Sequence, residues 1–151
     1  MVKFLLIFAV LETLLVFSDL SILNNSLAGF EAGLLGLRHS GNIIFAGGGE
    51  LRISESCTGL ASVVVLASIV FALRKPEPAK KIKIFLAGFA VLFPLNLLRL
   101  YLVVLAAVIW GAGAAEAVHV ASWFAVAGIV LALWHFLTVK IAGTKELREL
   151  L

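Results

Sequence analysis

Between Lys83 and Lys140 the chain carries only two charged residues, Arg99 and Glu116. Leu, Ala, Val, Phe and Ile dominate the rest of that run. Its side chains suit lipid, and in lipid a helix satisfies every backbone N–H and C=O within the segment itself. Composition agrees: 62% of the residues are hydrophobic and 14% charged, where soluble domains have roughly 45–50% and about 25%. Mean hydropathy is +1.13. The chain is a membrane protein.

A membrane helix needs roughly 20 mainly apolar residues. Four segments come close: 2–20, interrupted by Glu12; 57–73, stopped by Arg74-Lys75-Pro76; 82–105, running on towards Trp110; and 117–139, ended by Lys140. The expected fold is therefore an all-α integral membrane bundle of about four transmembrane helices, one polytopic domain over residues 1–151. Lys3 ahead of an apolar run resembles a secretory signal. Glu12 interrupts that run, however, and the cleavage-like Ser26-Leu27-Ala28 lies well beyond it, so a retained helix is expected.

Basic residues orient the bundle. Lys3, then Arg74, Lys75, Lys80, Lys81 and Lys83, then Lys140, Lys145 and Arg148 all fall on one side of a four-span arrangement. The positive-inside rule places that side, with both termini and the 74–81 loop, in the cytoplasm. The 24–56 segment is then extracytoplasmic. The net charge of +3 reads as a topology signal, and no nucleic-acid partner is expected.

Within that outer segment, Ala28–His39 is Gly-rich and apolar, suiting a short helix or irregular loop at the membrane surface. Ile43-Ile44-Phe45, the Gly47-Gly48-Gly49 turn and Leu51-Arg52-Ile53 predict a small β-hairpin before the second helix. A lone hairpin is marginal in water, so it should rest on the mouth of the bundle. Ser54 or Ser56 is the expected N-cap of the second helix, with Cys57 in its first turn.

Cys57 is the only cysteine and forms no internal disulfide. A helix start favours the reactive thiolate, but a free cysteine can equally be an inert apolar residue. Arg99 within a membrane helix costs roughly 2.5–3.5 kcal/mol on insertion scales and normally faces an interior or a water-filled cavity. Asn96, at i and i+3, shares its face; the bland alternative is an arginine snorkelling to headgroups. His119 starts the fourth span, with Trp123 one turn on. His135 lies about 160° around the same helix and, like loop residue His39, is left out. The charge-derived topology puts Cys57, Arg99 and His119 towards one side. A thiol, an imidazole and a guanidinium can together form a cysteine acyl-transfer site. Glu12, in the outer half of the first helix, is expected to pair with Arg99 or stay protonated.

Three blocks extend this reading: Gly41–Ser62 (GNIIFAGGGELRISESCTGLAS), Asn96–Arg99 (NLLR) and His119–Trp123 (HVASW). In order and spacing they resemble the exosortase/archaeosortase family of membrane transpeptidases. There a hairpin-like lead precedes a cysteine, a small residue (here Thr58, where serine is common) and Gly59-Leu60. An Asn-x-x-Arg follows on a later helix and a histidine on the next. The resemblance covers roughly residues 40 to 135. Many members have more spans, so this chain resembles a short catalytic core.

The resemblance implies Cys57 as nucleophile, Arg99 as essential arginine and His119 as third member, with Asn96, Ser56, Thr58, Gly59, Glu12 and Trp123 in supporting positions. It implies a secreted or membrane-anchored protein substrate with a C-terminal sorting signal. That substrate is cleaved through a Cys57 thioester and passed to a lipid-linked amine or to water. A histidine as third member is the exosortase-type choice. No cofactor or metal is called for. Two other classes compete: a non-enzymatic membrane subunit or assembly factor, in which Arg99, Asn96 and Glu12 only hold helices together, and a metal-handling protein or transporter. The latter lacks any Cys-x-x-Cys or His-x-x-x-His spacing.

Overall fold

A computed structural model describes residues 2–143; Lys145 and Arg148, used in the charge argument, lie outside them. The chain is mostly helical. Its elements are α1 (Val2–Phe17), α2 (Ser21–Leu35), β1 (His39–Ser40), β2 (Ile43–Ala46), β3 (Gly49–Arg52), a 3-10 turn (Glu55–Cys57), α3 (Leu60–Ala72), α4 (Pro78–Trp110) and α5 (Ala112–Ala142).

Among the described residues two helices, α4 and α5, are long and apolar enough to cross a membrane, or up to three spans if α1 and α2 form one broken span. The 33 residues of α4 extend about 50 Å at 1.5 Å per residue, well over the roughly 30 Å hydrocarbon core. Pro78 opens α4, where its missing N–H costs nothing. By contrast α3 has 13 residues, about 20 Å. It starts late because Gly59 has a φ of +78°, which a right-handed helix does not accommodate, and it ends before Arg74-Lys75-Pro76.

Two compact units divide the chain. In residues 2–17, 61–93 and 126–143, Leu66 and Val70 of α3 pack with Ile84 and Leu92 of α4 and Val130 of α5. Gly88 lets α4 pass close to Leu66, whose Cδ2 occupies the space a Cβ would need.

The second unit, Ser18–Leu60 and Pro94–Ala125, contains the sheet. Its order is β1-β2-β3, both pairs antiparallel. The predicted hairpin is present as β2 and β3, joined by Gly47 and Gly48 at φ +60° and +76°. Positive φ at both central residues gives the turn a twist matching the strands. A third strand of two residues, β1, adds to the outer side of β2. The Ala28–His39 stretch, expected as a short surface helix or loop, instead divides between the end of α2 and the approach to β1. Ile44, Ala46 and Ile53 pack with Ala28 and Ala32 of α2, Leu100, Val104 and Ala107 of α4 and Ala115 of α5. That apolar seat is what a bare hairpin lacks.

Gly47 lies where the hairpin meets α4: an added Cβ would run into the Ala107 carbonyl. Gly48 has nothing within 4 Å of the same position. Gly47→Ala is therefore expected to destabilise the protein by at least about 3 kcal/mol, from backbone strain plus the clash. Gly48→Ala should cost only the strain, about 1–2 kcal/mol. Thermal unfolding of the two variants in detergent checks the difference, and equal losses would show that the hairpin does not seat on α4.

Candidate active site

Cys57 ends the 3-10 turn rather than sitting in the first helical turn. Its N–H donates to the Ser54 carbonyl at 2.8 Å. Thr58 joins turn to helix: its hydroxyl donates to the Glu55 carbonyl at 2.7 Å and accepts from Leu60 N–H at 3.3 Å. Thr58 thus does the capping expected of Ser54 or Ser56. The two serine hydroxyls bond each other at 2.8 Å, and Ser54 makes no side-chain cap bond. Gly59 needs its lack of side chain twice, for its positive φ and because a Cβ would overlap the Asn96 side chain.

From α4, Asn96 donates through Nδ2 to the Cys57 carbonyl at 3.0 Å. Its Oδ1 accepts from Arg99 Nη1 at 3.4 Å. The i, i+3 pair therefore links the cysteine turn to the arginine. Arg99 is 7% exposed, and a charge so placed must be well satisfied. Its Nε donates to Ser122 Oγ at 2.7 Å. Nη2 lies 3.3 Å from His119 Nδ1, and Cζ sits 5.0 Å from the Trp123 ring centroid, a cation–π distance. Ser122 in turn donates to the His119 carbonyl at 2.6 Å, so its hydroxyl serves both the guanidinium and the helix backbone.

His119 stands between two donors. Trp123 Nε1 lies 3.1 Å from Nε2, and Arg99 Nη2 faces Nδ1. Indole and guanidinium only donate, and a neutral imidazole has one accepting nitrogen. With the proton on Nε2 the ring accepts from Arg99; with it on Nδ1 it accepts from Trp123. One contact always lapses, and the ring can exchange the two by moving a single proton.

Cys57 and His119 line one cavity of about 240 Å³, together with Leu51–Ser54, Ser56, Leu100, Val103, Val104, Ala112, Ala115 and Glu116. Cys57 is 7% exposed, and its sulfur lies 3.7 Å from Ser54 Oγ. Among the described residues no hydrogen bond joins thiol to imidazole. Such a set can offer a substrate carbonyl a nucleophile, a proton carrier and a fixed positive charge.

Of the supporting residues named from sequence, Asn96, Thr58, Gly59 and Trp123 touch this network directly, and Ser56 reaches the thiol's surroundings through Ser54. Glu12 belongs to the first unit, and its Oε2 is buried without a hydrogen-bond partner among the described residues. Sequence reasoning missed Ser122, legible only as the residue three after His119, and the role of Ser54, three before Cys57. Among the described residues no group of three or more His, Cys, Asp or Glu side chains could hold a metal ion.

The structure is that of a mostly helical membrane protein in which a thiol and an imidazole line one cavity and a guanidinium lies against the imidazole. The family description "Transmembrane exosortase (Exosortase_EpsH)" matches residues 2–142. The chain belongs to the transmembrane exosortase family. No curated protein and no solved structure matches it.

Proposed function

We propose that the chain is a membrane cysteine transpeptidase or peptidase that removes C-terminal sorting signals from secreted proteins. The observation that carries this reading is that the only thiol and His119 line one cavity, with Arg99 against the imidazole. His119 takes the Cys57 thiol proton, the thiolate attacks the scissile carbonyl, and the C–N bond breaks as the imidazolium passes that proton to the leaving amine. A thioester remains on Cys57. His119 then takes a proton from the acceptor amine, whose nitrogen attacks the thioester and releases the thiolate. Water as acceptor gives plain proteolysis. Arg99 orients the imidazole and stabilises negative charge on the carbonyl oxygen. Asn96, Thr58 and Gly59 hold the cysteine turn.

The full proposal includes four spans, with α3 as the second and α1 as the first. Both termini are cytoplasmic and the cavity faces outward, a placement the lysine and arginine distribution supports. The acceptor is a lipid-linked amine. A second reading draws on the completeness of the Arg99 network. Its bonds to Asn96, Ser122 and His119 could serve only to bind α4 to α5 in a non-enzymatic subunit.

One thiol makes the test direct. A membrane-impermeant thiol reagent applied to intact cells should label Cys57 and stop shortening of secreted substrates. Labelling only after the cytoplasmic face is opened overturns the outward site. Labelling with processing intact favours the structural subunit.

A further inference from the structure

Four consecutive residues, Leu51 to Ser54, line the cavity that holds Cys57. Leu51 and Arg52 end β3 and Ile53 and Ser54 follow it; side chains alternate faces along a strand, so the neighbours Leu51 and Arg52 both meet one cavity where it runs along the strand's edge. β3 is the last strand of the sheet, and that edge is open. The register tells which groups face it. Ile44 pairs with Leu51 and Ala46 with Gly49, and Ile53 N–H donates to the Asn42 carbonyl at 2.8 Å. Gly49, Leu51 and Ile53 therefore direct their backbone towards β2. Glu50 and Arg52 direct theirs outward, and neither has a backbone hydrogen bond on that side among the described residues.

An open edge with unpaired N–H and C=O groups is a template for another extended chain. The cavity, at about 240 Å³, is smaller than the roughly 300–1,000 Å³ of pockets that enclose a whole small ligand. It suits one or two side chains of a longer molecule whose remainder lies outside. Its walls there are apolar: Leu51, Val103, Val104 and Ala115. A strand on this edge would place every second side chain towards those walls and run on past Ser54 to the thiol.

We propose that the protein substrate docks as an added strand on the open edge of β3. It bonds to the backbone of Glu50 and Arg52, and that pairing delivers its scissile carbonyl to Cys57. The proposal rests on the transpeptidase reading and adds to it how the substrate is held: by its backbone, in extended form, with alternate side chains read by the cavity. The hairpin is then a docking element as well as a support for the cysteine turn.

The test uses the full chain in phospholipid vesicles. The probe is a synthetic peptide copying the tail of a secreted protein that cells carrying Cys57→Ala fail to shorten, with single backbone N-methyl groups placed along the segment around the cleavage point. Strand pairing predicts alternation: methylation at every second position raises KM roughly five-fold, about one backbone hydrogen bond, with kcat unchanged, and intervening positions are tolerated. Arg52→Pro, which deletes an outward N–H, should raise KM similarly and keep the helical circular dichroism. Leu51→Pro, which deletes a bond within the sheet, should unfold it. Cleavage of the parent peptide with no alternation, or with Arg52→Pro at wild-type KM, overturns the docking and leaves the activity standing. No Cys57-dependent cleavage of the parent peptide overturns both.

Discussion

Replacing Cys57 with alanine should reduce substrate processing at least about 10³-fold, because the chain holds no second thiol and removing a nucleophile from a covalent mechanism leaves only binding and electrostatics. The neighbouring hydroxyls do not substitute for it. Ser54 and Ser56 are bonded to each other, and their high intrinsic pKa leaves them poor nucleophiles without a base in contact. Folding should survive the change. Cys57 contributes one sulfur to a cavity wall, while the turn is held by its carbonyl to Asn96 and by Thr58, all untouched by the substitution. Stability in detergent should shift by less than about 1.5 kcal/mol. The check is mass spectrometry of the secreted substrate's C-terminus beside a melting curve. A hydroxylamine-sensitive adduct should form on the parent protein and be absent from Cys57→Ala. Processing within ten-fold of the parent would discard the thioester route.

Much of this site was written in short helical spacings. Asn96 and Arg99 at i and i+3, and His119 and Trp123 at i and i+4, fall on common faces by helix geometry alone, and in the structure each pair is in contact. The apolar stretches that became α4 and α5 were visible for the same reason, being long and nearly free of charge. Their ends were less visible. α4 begins at Pro78, ahead of the expected start, because Lys80, Lys81 and Lys83 are good helix formers that a search for apolar residues passes over. The turn residues Gly47 and Gly48 marked the hairpin, but β1, two exposed residues, has no pattern to detect. It exists because β2 offers it an edge.

The cysteine turn was misjudged locally. SESCTGL reads as a helix start with a serine cap, and the structure delays the helix to Leu60. The cause is Gly59, whose positive φ and contact with Asn96 depend on a residue far away in sequence. The partners of Arg99 were less legible: Ser122, Asn96 and His119 include no carboxylate to mark them in a sequence. The delay has a consequence: Cys57 is presented by a tight turn pinned at its carbonyl, so its sulfur is positioned by Asn96 as much as by its own helix.

That dependence makes Arg99→Lys the sharpest test of the network, with an expected loss of at least about 10²-fold in processing. Lysine keeps the charge and most of the length, so a role as plain counter-charge would be preserved. It does not keep the fork. The guanidinium reaches Ser122 through Nε, Asn96 through Nη1 and His119 through Nη2 while its plane lies near the Trp123 ring. One ammonium on a flexible stem cannot hold those directions at once. Without Nη2 opposite Nδ1, His119 settles on Trp123 as its one partner, fixing the proton on Nδ1 and removing the tautomer exchange that proton transfer uses. Without Nη1, Asn96 loses the contact that aims its amide at the Cys57 carbonyl. The imidazole and the cysteine turn are thus both displaced by one substitution that leaves the net charge unchanged. Arg99→Gln, which removes the charge as well, should be at least as inactive, and both should retain membrane insertion and helical circular dichroism. If Arg99→Lys processes substrate within ten-fold of the parent while Arg99→Gln does not, the arginine acts by charge alone, and the hydrogen-bond fork described here has no part in catalysis.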